Sequence, residues 1–300
     1  MSGLLAVSPE VAAALAAGAP VVALETTIVA HGFPPREGVE VGRECERRVR
    51  EAGGIPATIA VLDGAVRVGL SGDELERVGA DARKVGPRDL AACAVQGAVG
   101  ATTAGGTLAV CRLAGIRFFA TGGIGGVHRG FPSPPDVSAD LGELARTEAL
   151  VVSAGVKSLL DVPATAEALE TLGVPVLGWR TDELPLFYTA RGGPPVSARV
   201  ESAEEAARIA DAHWRLGRGS SLLLARPPDD GIEGAEPLIE QALAEARAQG
   251  VSGQAVTPFV LAHLHERSSG RTLEVNRRLV ADNAELAAEV AVAYARLSTK

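Results

Sequence analysis

Short apolar runs alternate with amphipathic segments along this chain, and the runs are β-branched and flanked by glycine or proline, the pattern of strands in a layered protein. Ser8 followed by Pro9 predicts a helix that Gly18 closes, after which Pro20 to Leu24 read as the first core strand, with Glu25 at its end. Residues from about Glu37 to Ala52 form a charged amphipathic helix stopped by Gly53-Gly54. Ile55 to Leu62 and Ala65 to Leu70 flank Asp63-Gly64, a two-residue hairpin signal, so the expected sheet is mixed. Ile116 to Thr121, Ala149 to Ser153, Pro175 to Gly178 and Ser221 to Ala225 add strands between helical stretches, and helices dominate the tail. This order predicts an α/β fold. The Pro-Gly clusters Gly192 to Pro195 and Pro227 to Gly234 read as surface loops, so residues 1–300 are expected to form a single domain.

Composition narrows the function. With 47% apolar residues but only 3% aromatics, the core must be aliphatic. A net charge of −8 and a pI near 5.3 exclude binding to a nucleic-acid polymer, which needs a basic face. Cys45, Cys93 and Cys111 lack CxxC spacing and indicate neither a disulfide framework nor a zinc site. No basic leader precedes the first helix and no apolar run reaches membrane-spanning length, so no membrane partner is expected and the anticipated location is cytoplasmic.

The chain has 26 arginines but only three lysines, and one of those is the terminal Lys300. A nucleophilic amine must be lysine, because guanidinium stays protonated, and that singles out Lys84 and Lys157. Lys157 ends the apolar run from Leu150 to Val156, which reads as a buried strand delivering it at the carboxyl end. A lysine at its ordinary pKa of about 10.4 is neutral in fewer than roughly one molecule in a thousand near pH 7, so this chemistry calls for burial or neighbouring positive charge.

Other motifs are open to more than one reading. Thr121-Gly122-Gly123-Ile124-Gly125-Gly126 follows a strand and suits backbone contact with a small anion, with His128 and Arg129 beside it; the spacing does not match a dinucleotide fingerprint. Thr102 or Thr103 is placed to cap a helix. Asp136 and Asp140 would share one face of a helix, as oxygen ligands for Mg²⁺ or Mn²⁺, or else Asp136 or Ser138 caps that helix. Asn276 and Asn283, seven apart, share a helix face that taken alone reads as solvated. Glu25 is a general acid or base if it faces the crevice that receives Lys157, and otherwise a surface ion pair.

Several strings together resemble the pseudouridine-5′-phosphate glycosidase family, also called indigoidine synthase A-like: Ala23 to Gly32, Lys84-Val85 with Arg88-Asp89-Leu90, Gly100 to Thr103, Thr121 to Gly130, Asp136 to Leu141, Ser153 to Ser158, Gly173 to Val176 and Thr181 to Glu183. The resemblance implies a three-layer α/β/α sandwich around a mixed β-sheet, assembled as a homotrimer. It implies reversible cleavage of the C–C glycosidic bond of pseudouridine 5′-phosphate to uracil and ribose 5-phosphate, a reaction the family's classification places among the carbon–oxygen lyases of hydro-lyase type. By the same resemblance Lys157 is the nucleophile, forming an imine with the ring-opened sugar, and Glu25 transfers a proton. Asp136 binds one divalent ion per subunit, manganese or alternatively magnesium. Lys84, Ala104, Ser138, Ala139 and Asp140 contact the substrate, His128 belongs with them as an anion contact, and Asn283 matches an asparagine near the site. Pro134-Pro135 before Asp136 and Gly86-Pro87 before Arg88 depart from the family pattern and bear on loop shape. The alternatives are another Schiff-base lyase or aldolase acting on a sugar phosphate, a relative with a different nucleobase, or a catalytically silent binding module.

Overall fold

The computed structural model describes residues 3–297 except Pro35, Pro134, Glu233, Ser252 and Ser269; Lys300 and Pro134, both named above, lie outside the described residues. Eleven strands among these residues join one sheet: β1 (Leu5–Val7), β2 (Val21–Leu24), β3 (Ile55–Leu62), β4 (Ala65–Val68), β5 (Arg83–Val85), β6 (Gly100–Thr102), β7 (Phe118–Ala120), β8 (Leu150–Ser153), β9 (Val176–Trp179), β10 (Ala198–Val200) and β11 (Leu222–Ala225). The order is β1-β4-β3-β2-β7-β8-β11-β9-β10, with β6 pairing β3 and β5 beside it. Pairing is parallel except for β3 with β4 and β3 with β6. The Asp63-Gly64 hairpin forms as expected, with both residues at positive φ (52° and 77°), the turn whose twist matches its strands.

Twelve α-helices among the described residues cover the faces: α1 (Pro9–Ala16), α2 (Thr27–His31), α3 (Glu37–Glu51), α4 (Gly72–Glu76), α5 (Leu90–Val95), α6 (Ala104–Ala114), α7 (Ala139–Leu144), α8 (Val162–Thr171), α9 (Ala203–Arg215), α10 (Ala235–Ala248), α11 (Val256–Arg267) and α12 (Arg271–Leu297). Hydroxyl and carboxylate caps start many of them. Ser8, Ser71, Thr103, Ser138, Asp161 and Ser202 each accept a backbone N–H of the first turn. Helix α12 packs on α3 and α9 and against β2, β7 and β8, while α6 packs on α7 and against β2 and β6. The result is a three-layer α/β/α architecture around a mixed, mostly parallel sheet. Its core is aliphatic, and β2, β7, β8 and β11 are buried along their whole length, as strands covered on both faces must be.

Two expectations are corrected. Strand β8 stops at Ser153, and Lys157 follows on a bridged segment in which Val156 pairs with Ile124. Asp136 and Asp140 do not share a helix face, because Ser138 caps α7 and Asp136 lies upstream in an extended segment where Val137 bridges Val127.

Candidate active site

The chain turns back on itself at the centre of the sheet: β2 leads to β3 on one side and β7 leads to β8 on the other. In open α/β sheets such a switch point leaves a crevice at the carboxyl ends of the strands. Here a cleft of about 840 Å³ opens there, lined by residues following β2, β7 and β8 and by the amino ends of α6 and α7.

Glu25 comes directly after β2 and is only 5% exposed. It is no surface ion pair. One carboxylate oxygen accepts the Thr121 hydroxyl and the other the Thr27 hydroxyl. Burial raises its pKa, and the positive charge of Lys157 and the two hydroxyls oppose that shift without cancelling it. The backbone behind it is fixed by Thr26, whose hydroxyl donates to Ile59 O at 2.7 Å and accepts from Thr102 N at 2.9 Å.

Lys157 lines the same cleft. Its backbone N–H donates to Ile124 O, and the next turn is held by Arg129, whose guanidinium donates to Ser158 O at 2.8 Å and Leu160 O at 3.2 Å and pairs with Glu236. Arg129 is therefore committed to shaping the lysine loop, which corrects its reading as an anion contact. Lys84, central in β5, lies near enough to feel Lys157, Asp140 and Glu25; burial first and then Lys157 bring its pKa down to about 8.

Asp140 joins two walls. Its Oδ1 accepts Gly105 N at 2.7 Å, in the first turn of α6, and its Oδ2 accepts Gly125 N at 2.8 Å, in the glycine loop. A Cβ at Gly125 would stand 2.3 Å from Ser138 Oγ, so this close approach requires glycine. Ser138 and Ala139 line the cleft beside it, and Ala104 is buried at the first helical position of α6 without lining the cleft itself.

His128 and Asp136 face each other, Nδ1 to Oδ2 at 3.6 Å. Burial lowers the histidine pKa, Asp136 opposes this, and Lys84 and Lys157 act with burial. Among the described residues no group of three or more His, Cys, Asp or Glu side chains is arranged to hold a metal ion. Both Asp140 oxygens are taken by backbone amides, whereas Asp136 is partly exposed in the cleft. A hard cation that keeps several waters, as Mg²⁺ and Mn²⁺ do, fits one such carboxylate; a cation needing a full protein cage does not.

Asn276 and Asn283 lie on α12 and are both buried, 5% and 0% exposed, so the solvated reading of this face is overturned. The helix runs under the sheet and its asparagine face points to the site. Asn276 lines the cleft, while Asn283 stands behind it and donates from Nδ2 to Thr121 O at 2.9 Å. Residues that sequence reasoning did not select are Thr121 as the partner of Glu25, Asn276, Phe187, and the rim arginines Arg88, Arg112 and Arg146. Thr121, Asn276 and Arg88 carried a signal, the motif position of the first and last and the helical spacing of the second; the others carried none.

Residues 10–293 match the family model described as indigoidine synthase A like protein. The chain is 50% identical over 299 residues to a pseudouridine-5′-phosphate glycosidase of Deinococcus radiodurans, covering 98% of this chain and 96% of that protein. It is 47% identical to one of Sorangium cellulosum, covering 99% and 95% respectively. In structure it superposes on a prealnumycin C-glycosynthase in complex with ribulose 5-phosphate with a TM-score of 0.90 at 38% identity, covering 100% of this chain and 99% of that one. An indigoidine synthase A-like protein of Thermotoga maritima superposes with a TM-score of 0.86, also at 38% identity, covering 96% of both chains. The cleft described here thus sits in a chain that belongs to the indigoidine synthase A-like family, whose relatives include pseudouridine-5′-phosphate glycosidases.

Proposed function

We propose that this protein is an enzyme that reversibly cleaves the C–C glycosidic bond of pseudouridine 5′-phosphate, giving uracil and ribose 5-phosphate through an imine on Lys157. The observation that carries the reading is a buried carboxyl of raised pKa, Glu25, sharing one cleft with the amine of Lys157. The names of the relatives supply the substrate.

Paired carboxylates that serve an ordinary glycosidase do not suffice here, because a carbon leaving group has no lone pair to receive a proton. In this reading Lys157 Nζ bonds C1′ as the C1′–O4′ bond breaks and opens the sugar ring, the amine proton passing to O4′, and Glu25 gives its proton to C5 of uracil. The C1′–C5 bond breaks, and its electron pair stays with the uracil ring and offsets the added proton. The nitrogen lone pair closes the C1′=N iminium. Water then adds at C1′, a proton returns to Glu25, and ribose 5-phosphate leaves Lys157. A carboxyl whose pKa is raised by burial is suited to the first proton transfer.

Lys84, the amino end of α6 at Ala104, Ser138, Ala139, Asp140 and His128 are assigned to the phosphate and sugar. Asn283 is assigned a supporting role behind Thr121. Asp136 would hold Mn²⁺, or Mg²⁺, one ion per subunit, and such an ion when bound supplies positive charge for substrate oxygens. The chain is further proposed to act as one domain, in a cytoplasmic homotrimer. The prealnumycin C-glycosynthase neighbour favours one second reading, in which the same lysine serves C–C bond formation with a different aglycone.

The test has two arms. Chromatography should show uracil released from pseudouridine 5′-phosphate, and borohydride reduction with ribose 5-phosphate should add the sugar's mass to Lys157. No uracil and no increment would overturn the reading, whereas an increment without uracil release would direct it to another aglycone.

A further inference from the structure

Phe187 occupies backbone space that bulky residues avoid. Its φ is +65°, and the flanking Tyr188 N donates to Leu186 O at 2.8 Å, closing a three-residue turn around it. Turns of this kind with positive φ are rare and strained, and strain of this sort persists only where neighbours impose it. Phe187 N donates to Ala154 O at 3.2 Å, Leu186 bridges Gly155, and Ile232 N donates to Tyr188 O at 2.8 Å. Gly155 must lack a side chain, since a Cβ there would stand 2.2 Å from Pro185 O. The ring of Tyr188, 1% exposed, backs that of Phe187 edge-on at 4.7 Å.

The turn presses one ring onto the glycine loop. A Cβ at Gly123 would lie 2.7 Å from the Phe187 ring, and one at Gly122 would lie 3.7 Å away. Neither glycine N–H has a protein acceptor among the described residues, and both glycines line the cleft. Phe187 is the only Phe, Tyr or Trp among the described lining residues. The cleft is therefore polarised: Lys84 and Ser138 offer an amine and a hydroxyl, and the Phe187 side offers an apolar ring beside two backbone amides and Asn276.

We propose that Phe187 is the apolar wall of the nucleobase subsite and determines which planar leaving group the cleft admits, with a base carbonyl accepting from Gly122 or Gly123 N–H. This rests on the C-nucleotide reading above and deepens it. The backbone strain holds the ring at one position beside the Lys157 loop, where a relaxed side chain would swing clear.

The experiment compares Phe187→Leu with Phe187→Gly in the synthetic direction. Glycine adopts φ +65° without strain, so the second variant separates loss of the ring from loss of the fold. Both should raise the KM for uracil by roughly 10- to 100-fold, the range for a lost apolar contact in a pocket. The ribose 5-phosphate concentration that half-saturates the borohydride-trapped adduct on Lys157 should stay unchanged. The glycine variant should also accept 6-phenyluracil, a bulkier base that keeps the C5–H at which the bond forms, better than the wild type does. An unmoved uracil KM, or an equal rise in the ribose 5-phosphate half-saturation, would overturn the proposal. Failure of the underlying reading looks different, since the wild type itself would then form neither uracil nor adduct.

Discussion

The Thr121 hydroxyl donates to the Glu25 carboxylate because the register of two parallel strands leaves no other outcome: Leu24 pairs with Ala120, and the next residue of each strand emerges beside its counterpart. Asn283 then fixes Thr121 from the opposite side through its carbonyl. The acid is thus positioned by sheet pairing, the most rigid device the fold has.

If Glu25 is the proton donor, Glu25→Gln should keep the borohydride-trapped sugar adduct on Lys157 while uracil release falls by at least about 100-fold. Loss of both would reassign the residue to sugar opening. Melting temperature controls for the fold. Because burial raises the carboxyl pKa, the stability contributed by Glu25 is fully present below the ordinary glutamate range and is lost as pH rises through the raised value. The glutamine variant lacks that loss, so near pH 8 it should melt no lower than the wild type.

Lys84, if it binds the phosphate, should give the pH profile an alkaline limb. Its pKa of about 8 lies below the ordinary lysine value of 10.5, so the cation is present below that pH and disappears above it. If it binds the phosphate, kcat/KM should fall above about pH 8, with the change in KM. Lys84→Arg stays charged and should remove the limb even where overall activity is lower. A limb unchanged in the arginine variant would assign it to another group.

Asp140→Asn leaves the shape but turns an amide NH₂ toward Gly105 N or Gly125 N, so one buried donor loses its acceptor. The expected loss is about 1–3 kcal/mol of stability, read by thermal denaturation, together with a raised substrate KM. Unchanged melting would mean that the two walls of the cleft are held by other contacts.

Prolonged chelation should abolish uracil release, and manganese should restore it in the wild type but not in Asp136→Ala. Since Ser138 and not Asp136 caps α7, that variant keeps the helix, and its melting temperature should change by less than about 1 kcal/mol equivalent. Full activity in metal-free protein would leave Asp136 as a partner of His128 only.

The framework of this fold could be read from local chemistry: caps such as Ser8 and Thr103, the Asp63-Gly64 turn, and the apolar runs that became β2, β8 and β11 all act within a few residues. Lys157 and Glu25 stood out because each follows such a run. What escaped the sequence depends on distant partners. Strands β5 and β6 are three residues each and exist because they pair with each other and with β3. Asn276 and Asn283 were placed on one face by spacing, but only the packing of α12 beneath the sheet makes that face an interior one. Phe187 carries no local mark at all, since a positive φ is expected of glycine and not of phenylalanine.

Phe187 and the pair Glu25 and Lys157 ride on separate crossovers, one after β9 and the others after β2 and β8. On the proposed roles, reactivity and selectivity are modular in this scaffold: exchanging the segment between Thr181 and Pro195 for a relative's should redraw the accepted aglycone, while Glu25 and Lys157 stayed in place.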